Sequence, residues 1–252
     1  MPVAIRNFAF FVLACASLFS GHATAGEFSV NPIRLELGAA VKTGVIGVRN
    51  DDKQKLNFQL QAMEWTQDAT GKDIYTDTQG LVFFPKILSI EPAEERLIRV
   101  GAKASAVPTE KTYRLFIEEL PGLLKTPEGN SAQINVLIRF GAPVFVAPLK
   151  PQDSLDIDRF TVSKGAITIQ AKNTGNRHQL VRGIELKGAD AGGNEVYALT
   201  LADRYLLAGT VKTYATTLSA AQCAKISSLA LEFMTDKLSE KRKIDVTRAM
   251  CL

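Results

Sequence analysis

Short runs in which apolar and polar residues alternate recur along nearly the whole chain, and this period of two restricts it to half-buried strands. The clearest are Phe28–Leu37, Val45–Arg49, Leu56–Met63, Leu97–Val100, Tyr113–Ile117 and Ile134–Phe140. Turn-forming clusters separate them, as at Asn50-Asp-Asp52, Asp68–Gly71, Glu91-Pro92 and Pro127–Asn130. No segment sustains helical i, i+3, i+4, i+7 spacing beyond about two turns; Ser219–Lys225 is expected to form only a short helical turn. The expected fold class is therefore all-β, built from antiparallel strands in sandwiches.

A second series of alternating runs follows Pro148–Asp153, whose two prolines suit a short stiff connector. It comprises Ala166–Ala171, Leu180–Leu186, Thr213–Leu218, Leu229–Phe233 and Ile244–Val246. Two sandwiches of immunoglobulin-like size are expected, over residues 26–148 and 149–252.

Residues 1–25 are expected to be removed. They carry one charge, Arg6, then an apolar stretch from Phe8 to Phe19, then Ala23-Thr-Ala25 ahead of Gly26. That is the arrangement of a secretory signal cleaved after Ala25, and its apolar run is shorter than the roughly 20 residues of a spanning helix. No later stretch is long and apolar enough to insert in a membrane. In an oxidising compartment Cys223 and Cys251 are expected to form a disulfide, because Cys15 leaves with the signal.

Charge and motif content exclude several functions. The 30 Lys and Arg against 26 Asp and Glu are spread without blocks, so no basic groove for nucleic acid is expected. One histidine, His178, remains after the signal and is expected to be a solvated turn residue. No Gly-x-Ser-x-Gly elbow, phosphate-binding loop or metal-spaced His/Cys cluster occurs. No catalysis, cofactor or metal is therefore expected.

The order of short motifs in the first half resembles the PapD-like pilus chaperones of the chaperone–usher class, in their archaic branch. These motifs are Asn31-Pro-Ile-Arg-Leu-Glu-Leu37, Val48-Arg-Asn50, Glu64-Trp65, Phe84–Pro92 with Leu97-Ile-Arg-Val100, Glu110–Pro121, and Val136–Val146. The resemblance implies two immunoglobulin-like domains set as a boomerang and residence in the periplasm. It also implies donor-strand complementation, in which the chaperone lends the seventh strand of its first domain to an incomplete pilus subunit and delivers it to an outer-membrane usher. Added strands satisfy open backbone groups while alternate side chains fill pockets. On that strand Ile134, Val136 and Ile138 share one face and are the expected donor residues; the competing reading packs them inside their own sandwich. By the same resemblance Arg34 and Arg139 hold the subunit's C-terminal carboxylate, a task suited to the guanidinium fork. Arg139 departs from the lysine often found there. Ile33, Leu35 and Leu37 are expected to share a buried face, with Arg34 directed away. An uncovered donor strand would also let the free chain associate with itself. A pilus subunit, another secreted structural module and a ligand-binding sandwich are the alternatives; a subunit of this class would have a single incomplete domain.

Overall fold

The computed structural model describes residues 27–68, 70–122 and 136–251. The proposed signal segment, its cleavage point and Ile134 lie outside the described residues. Among the described residues ten strands form the first sandwich: β1 (Phe28–Asn31), β2 (Leu35–Leu37), β3 (Thr43–Asn50), β4 (Leu56–Gln67), β5 (Asp73–Asp77), β6 (Leu81–Phe84), β7 (Ile87–Ile90), β8 (Glu95–Ala102), β9 (Lys111–Glu119) and β10 (Arg139–Val146). Eight form the second: β11 (Leu155–Ser163), β12 (Ala166–Asn173), β13 (Gln179–Ala189), β14 (Glu195–Leu201), β15 (Tyr205–Leu206), β16 (Val211–Thr217), β17 (Ser228–Thr235) and β18 (Ser239–Asp245). One helical turn, α1 (Ala220–Cys223), begins at Ser219, whose hydroxyl accepts from the Gln222 amide while the Gln222 side chain accepts from the Ser219 amide. That reciprocal capping explains why the short segment turns helical.

In the first sandwich a sheet ordered β1-β3-β8-β6 faces one ordered β2-β10-β9-β4-β5, with β7 also on β4. Alternation places Ile46, Val48, Ile98 and Val100 of one sheet against Phe58, Leu60, Leu115, Ile117 and Val144 of the other, all buried. The second sandwich packs β11-β12-β16 on β14-β13-β17-β18, with β15 on β13, around Ile167, Ile169, Ile184, Leu231 and Phe233. The two cores share no residue: one runs from Leu35 to Val146, the other from Leu155 to Val246.

The sandwiches repeat one polar device. Asn50 ends β3 and is wholly buried, its Nδ2 donating to the carbonyls of Gln54 and Ile90 while its Oδ1 accepts from the Asp52 amide. Asn173 ends β12 and does the same with Arg177, Leu206 and Gly175. An asparagine suits both places because its amide closes a tight turn and still satisfies a distant carbonyl, leaving no buried polar group unpaired.

Three expectations need correction. The run Phe28–Leu37 is two strands: the chain bends over Pro32–Arg34, so β1 pairs with β3 in one sheet and β2 runs parallel to β10 in the other. Proline lacks the N–H that an unbroken strand would contribute at that point. Ile33, on the bend, is 65% exposed and does not share the buried face of Leu35 and Leu37. Third, the strand expected over 134–140 begins only at Arg139 and continues to Val146.

The expected cysteine pair is joined. Cys223 and Cys251 are bonded with their Cα atoms 5.7 Å apart, tying α1 to the last turn of the chain, Arg248–Cys251.

Candidate functional site

The site is an unfinished sheet edge. On one side β10 is paired over its full length with β9, from Arg139 opposite Glu118 to Val146 opposite Lys111. On the other side β2 covers only Val144–Val146. Residues 139–143 thus have no strand neighbour there among the described residues. A row of unpaired backbone groups of this kind invites another strand. Before Arg139 the chain leaves the strand ladder, and its Val136 and Leu137 are 61% and 47% exposed. One backbone tie continues the ladder: the Glu119 amide donates to the Ile138 carbonyl at 3.0 Å.

Phase along β10 sorts the side chains. Ala142, Val144 and Val146 point into the core, and Phe140 packs against it. Ile138 and Val136 continue this apolar phase beyond the strand's start. The opposite phase carries Arg139, Gly141, Pro143 and Phe145 on the outer face, where β9 contributes Glu118, Phe116, Arg114 and Thr112. Gly141 lets the Phe116 ring come close, since a Cβ there would lie 3.0 Å from it and the ring would have to shift to admit one.

Both predicted arginines lie on this outer face but at different levels. Arg34 immediately precedes the first residue of β2, whose Leu35 pairs with Val144, so it falls level with Pro143. Its guanidinium contacts Glu36 at 3.2 Å. Arg139 sits four residues earlier on β10, about 13 Å along the strand at 3.3 Å per residue. It contacts Glu118 at 3.2 Å and lies over the Phe116 ring at 3.9 Å. The two arginines therefore share no partner.

A third arginine occupies the level of the first. Arg114 is paired across β9 and β10 with Pro143, which aligns it with Arg34 on the same outer face. Its Nη1 donates to the Gly141 carbonyl at 3.0 Å and its guanidinium lies 3.9 Å from the centre of the Trp65 ring. Unlike the other two it makes no salt bridge among the described residues, and its Nε is buried without a partner. An uncompensated guanidinium in a partly dry setting is a strong carboxylate receptor. The sequence signal for it was slight. Arg114 occupies the polar phase of Tyr113–Ile117, but only the strand register brings it level with Arg34.

Trp65 anchors the contact between sandwiches. It is 1% exposed and packs with Phe145, Leu207 and Tyr205. The Gln67 amide works like a piece of strand, its Nε2 donating to the Tyr205 carbonyl and its Oε1 accepting from the Leu207 amide, each at 3.0 Å. His178 is here too, which corrects the expectation of a solvated side chain. Its ring stacks 3.7 Å from that of Phe145, and its Nδ1 meets the buried Glu110 carboxylate at 2.9 Å. The turn bearing it is polar in sequence, but its surroundings come from the other sandwich.

Fold and edge together define a two-sandwich binding protein with one sheet left open. Residues 27–152 match the N-terminal domain family of PapD, the pili and flagellar-assembly chaperones, and the chain belongs to that family. No curated protein matches it by sequence. Solved structures share its architecture. The YadV chaperone superposes with a TM-score of 0.58 at 15% identity, covering 86% of this chain and 98% of that one. A chain of the Salmonella enterica SafA pilin–SafB chaperone complex gives 0.57 at 13%, covering 89% and 98%. A chain of the CsuC–CsuE chaperone–tip subunit complex, from the archaic chaperone–usher Csu pili of Acinetobacter baumannii, gives 0.56 at 18%, covering 86% and 98%.

Proposed function

We propose that this chain is an exported periplasmic chaperone of the archaic chaperone–usher branch, which lends the 134–143 segment to a pilus subunit and hands that subunit to an outer-membrane usher. Its domains meet at 148/149, and it carries out no catalytic step and needs no cofactor. The observation that carries this reading is the half-covered β10, which over 139–143 has no second strand neighbour among the described residues and is preceded by exposed Val136 and Leu137. A subunit groove laid along that edge gains backbone hydrogen bonds, and apolar side chains at alternate positions fill its pockets. Burying each of the three, Ile134, Val136 and Ile138, contributes roughly 1.5–3 kcal/mol.

The subunit's terminal carboxylate is taken by Arg34 together with Arg114, which stand level across the outer face; Arg139 steadies the strand start through Glu118 and Phe116. A fixed anchor sets the register of the donated strand, and a slip of one residue would turn every donor side chain the wrong way. The test is co-expression with candidate pilus subunits. Arg34→Glu, on an exposed bend, abolishes recovery of the subunit with unchanged thermal unfolding. Arg114→Gln also abolishes recovery, with a modest fall in thermal stability from the lost hydrogen bond to the Gly141 carbonyl and the lost contact with Trp65, while Arg139→Gln retains most recovery. Undiminished co-purification with the Arg34 and Arg114 variants would remove the anchor from this reading.

A further inference from the structure

The strand β9 carries a carboxyl group where its pattern asks for an apolar side chain. Leu115, Ile117 and Glu119 follow one another on the strand's inward phase, and Glu119 is 8% exposed, opposite the fully buried Phe58 of β4. Taking a carboxyl group out of water costs stability unless a partner offsets it. The arginine at this end of the sheet, Arg139, goes to the neighbouring Glu118 on the outer face. What the Glu119 side chain meets, among the described residues, is a backbone group: its Oε2 accepts from the Ile138 amide at 3.3 Å.

That bond takes the place of a rung of the sheet. Opposed residues of an antiparallel pair exchange two backbone hydrogen bonds at every second position. At Glu119 and Ile138 one of the two is made, from the Glu119 amide to the Ile138 carbonyl, while the Ile138 amide turns to the Glu119 side chain instead of the Glu119 carbonyl. The ladder ends there, and β10 begins at Arg139 although the alternation of the sequence runs on upstream. In the same register one more rung would set Val136 opposite Pro121. The inward phase of β10 would then lay Ile138 and Val136 along their own core, where they would be lost to a subunit. A carboxyl group at the end of the Leu115–Ile117 column makes that place unfavourable for an apolar side chain, and Val136 stands exposed instead.

We infer that Glu119 is a positioning residue for strand lending: by taking the Ile138 amide and keeping the end of the core polar, it stops the lent segment from closing onto β9 and leaves Val136 and Ile138 for the subunit. The inference rests on the chaperone reading above and adds to it a buried residue outside the carboxylate anchor. Such a residue sets stability against function. A leucine at 119 would complete the apolar column and release the Ile138 amide to the backbone rung, which steadies the free chain while depriving the subunit of its strand.

The full chain is co-expressed with candidate pilus subunits. Glu119→Leu is expected to lower subunit recovery by about tenfold or more, because the chain's own core then competes with the subunit groove for the same side chains. Its thermal midpoint is expected to equal or exceed the parent's. Glu119→Gln keeps a side-chain oxygen within reach of the Ile138 amide and retains most of the recovery. Amide hydrogen exchange of the free chain supplies a readout that packing alone would not move. The Val136 amide, which the added rung directs to the Pro121 carbonyl, exchanges about tenfold or more slowly in Glu119→Leu and at the parental rate in Glu119→Gln. Parental recovery with Glu119→Leu, or unchanged exchange at Val136, overturns the inference. So does a leucine variant that melts below the parent, since Glu119 would then serve the fold itself, and so does a glutamine variant that behaves as the leucine variant does. If the parental chain recovers no subunit at all, it is the chaperone reading that fails, and the exchange rates still decide what Glu119 does to the segment.

Discussion

The two sandwiches share an architecture down to a buried asparagine at the end of β3 and of β12, yet they meet solvent differently. Of the thirteen large apolar side chains exposed among the described residues, eleven lie between Ile33 and Leu137, Leu149 sits in the connector, and Val196 alone belongs to the second sandwich. The second sandwich closes its sheet with β18, whose Glu240, Lys241, Arg242 and Lys243 make an edge unfit for casual pairing. It is also stapled by the Cys223–Cys251 bond. Burial alone would permit both halves to be smooth. The difference teaches that one half is kept unfinished for binding while the other is a closed support, tied to it through Trp65, Phe145, Gln67 and His178.

The strongest way to break this comparison is to make the first half as polar as the second. Val136→Asp combined with Ile138→Asp is expected to reduce subunit recovery by more than about a hundredfold, because carboxylates would enter apolar pockets unpaired. The free chain should barely notice, since Val136 is exposed and both residues precede the strand. Its unfolding free energy in urea is expected to fall by no more than about 0.5 kcal/mol. A large loss of stability would mean that these residues serve their own core and would defeat the donor assignment.

The converse change opens the closed half. Cys223→Ser releases a loop spanning 28 positions of sequence, and the loss of loop constraint costs about 3–4 kcal/mol. Denaturant unfolding of the oxidised parent and the variant measures it. Subunit recovery at low temperature should persist, because the edge of β10 is in the other sandwich. Equal loss of recovery and stability would show the two halves to be one cooperative unit.

Much of this division was legible in the residues. Period-two runs in two series, a proline-marked connector and a pair of late cysteines need only local chemistry, and the strands, cores and disulfide follow them. Where the reading fell short, the missing quantity was non-local. The bend at Pro32 splits one expected strand between two sheets, although the proline itself was the available warning. Arg114 gains its place only through the pairing of β9 with β10 opposite Pro143. His178 sits in a polar turn by sequence, but Phe145 and Glu110, supplied by the first sandwich, bury it. An exposed patch such as Val45, Val82, Phe84 and Leu97 is invisible to alternation, because the pattern says which residues share a face and not whether that face is covered.

The smallest effect concerns the junction, where the two halves cease to be independent. Asp153, just past the connector prolines, pairs through both oxygens with Arg177, and its carboxyl is held below the usual range first by that hydrogen bond. A carboxyl whose folded value is depressed adds stability above its unfolded value of about 3.9, and the gain fades as pH falls through the lower folded value. Between pH 7 and 5 the parent should therefore show no change from this pair, with a decline setting in below about pH 4. Asp153→Asn removes the titrating group, so its midpoint should start slightly lower at pH 7 and converge on the parent in acid. The pair is partly open to water, and screening keeps the gap modest. Melting curves of both proteins across that range decide it: parallel lines at every pH would show that Asp153 holds the junction by shape alone.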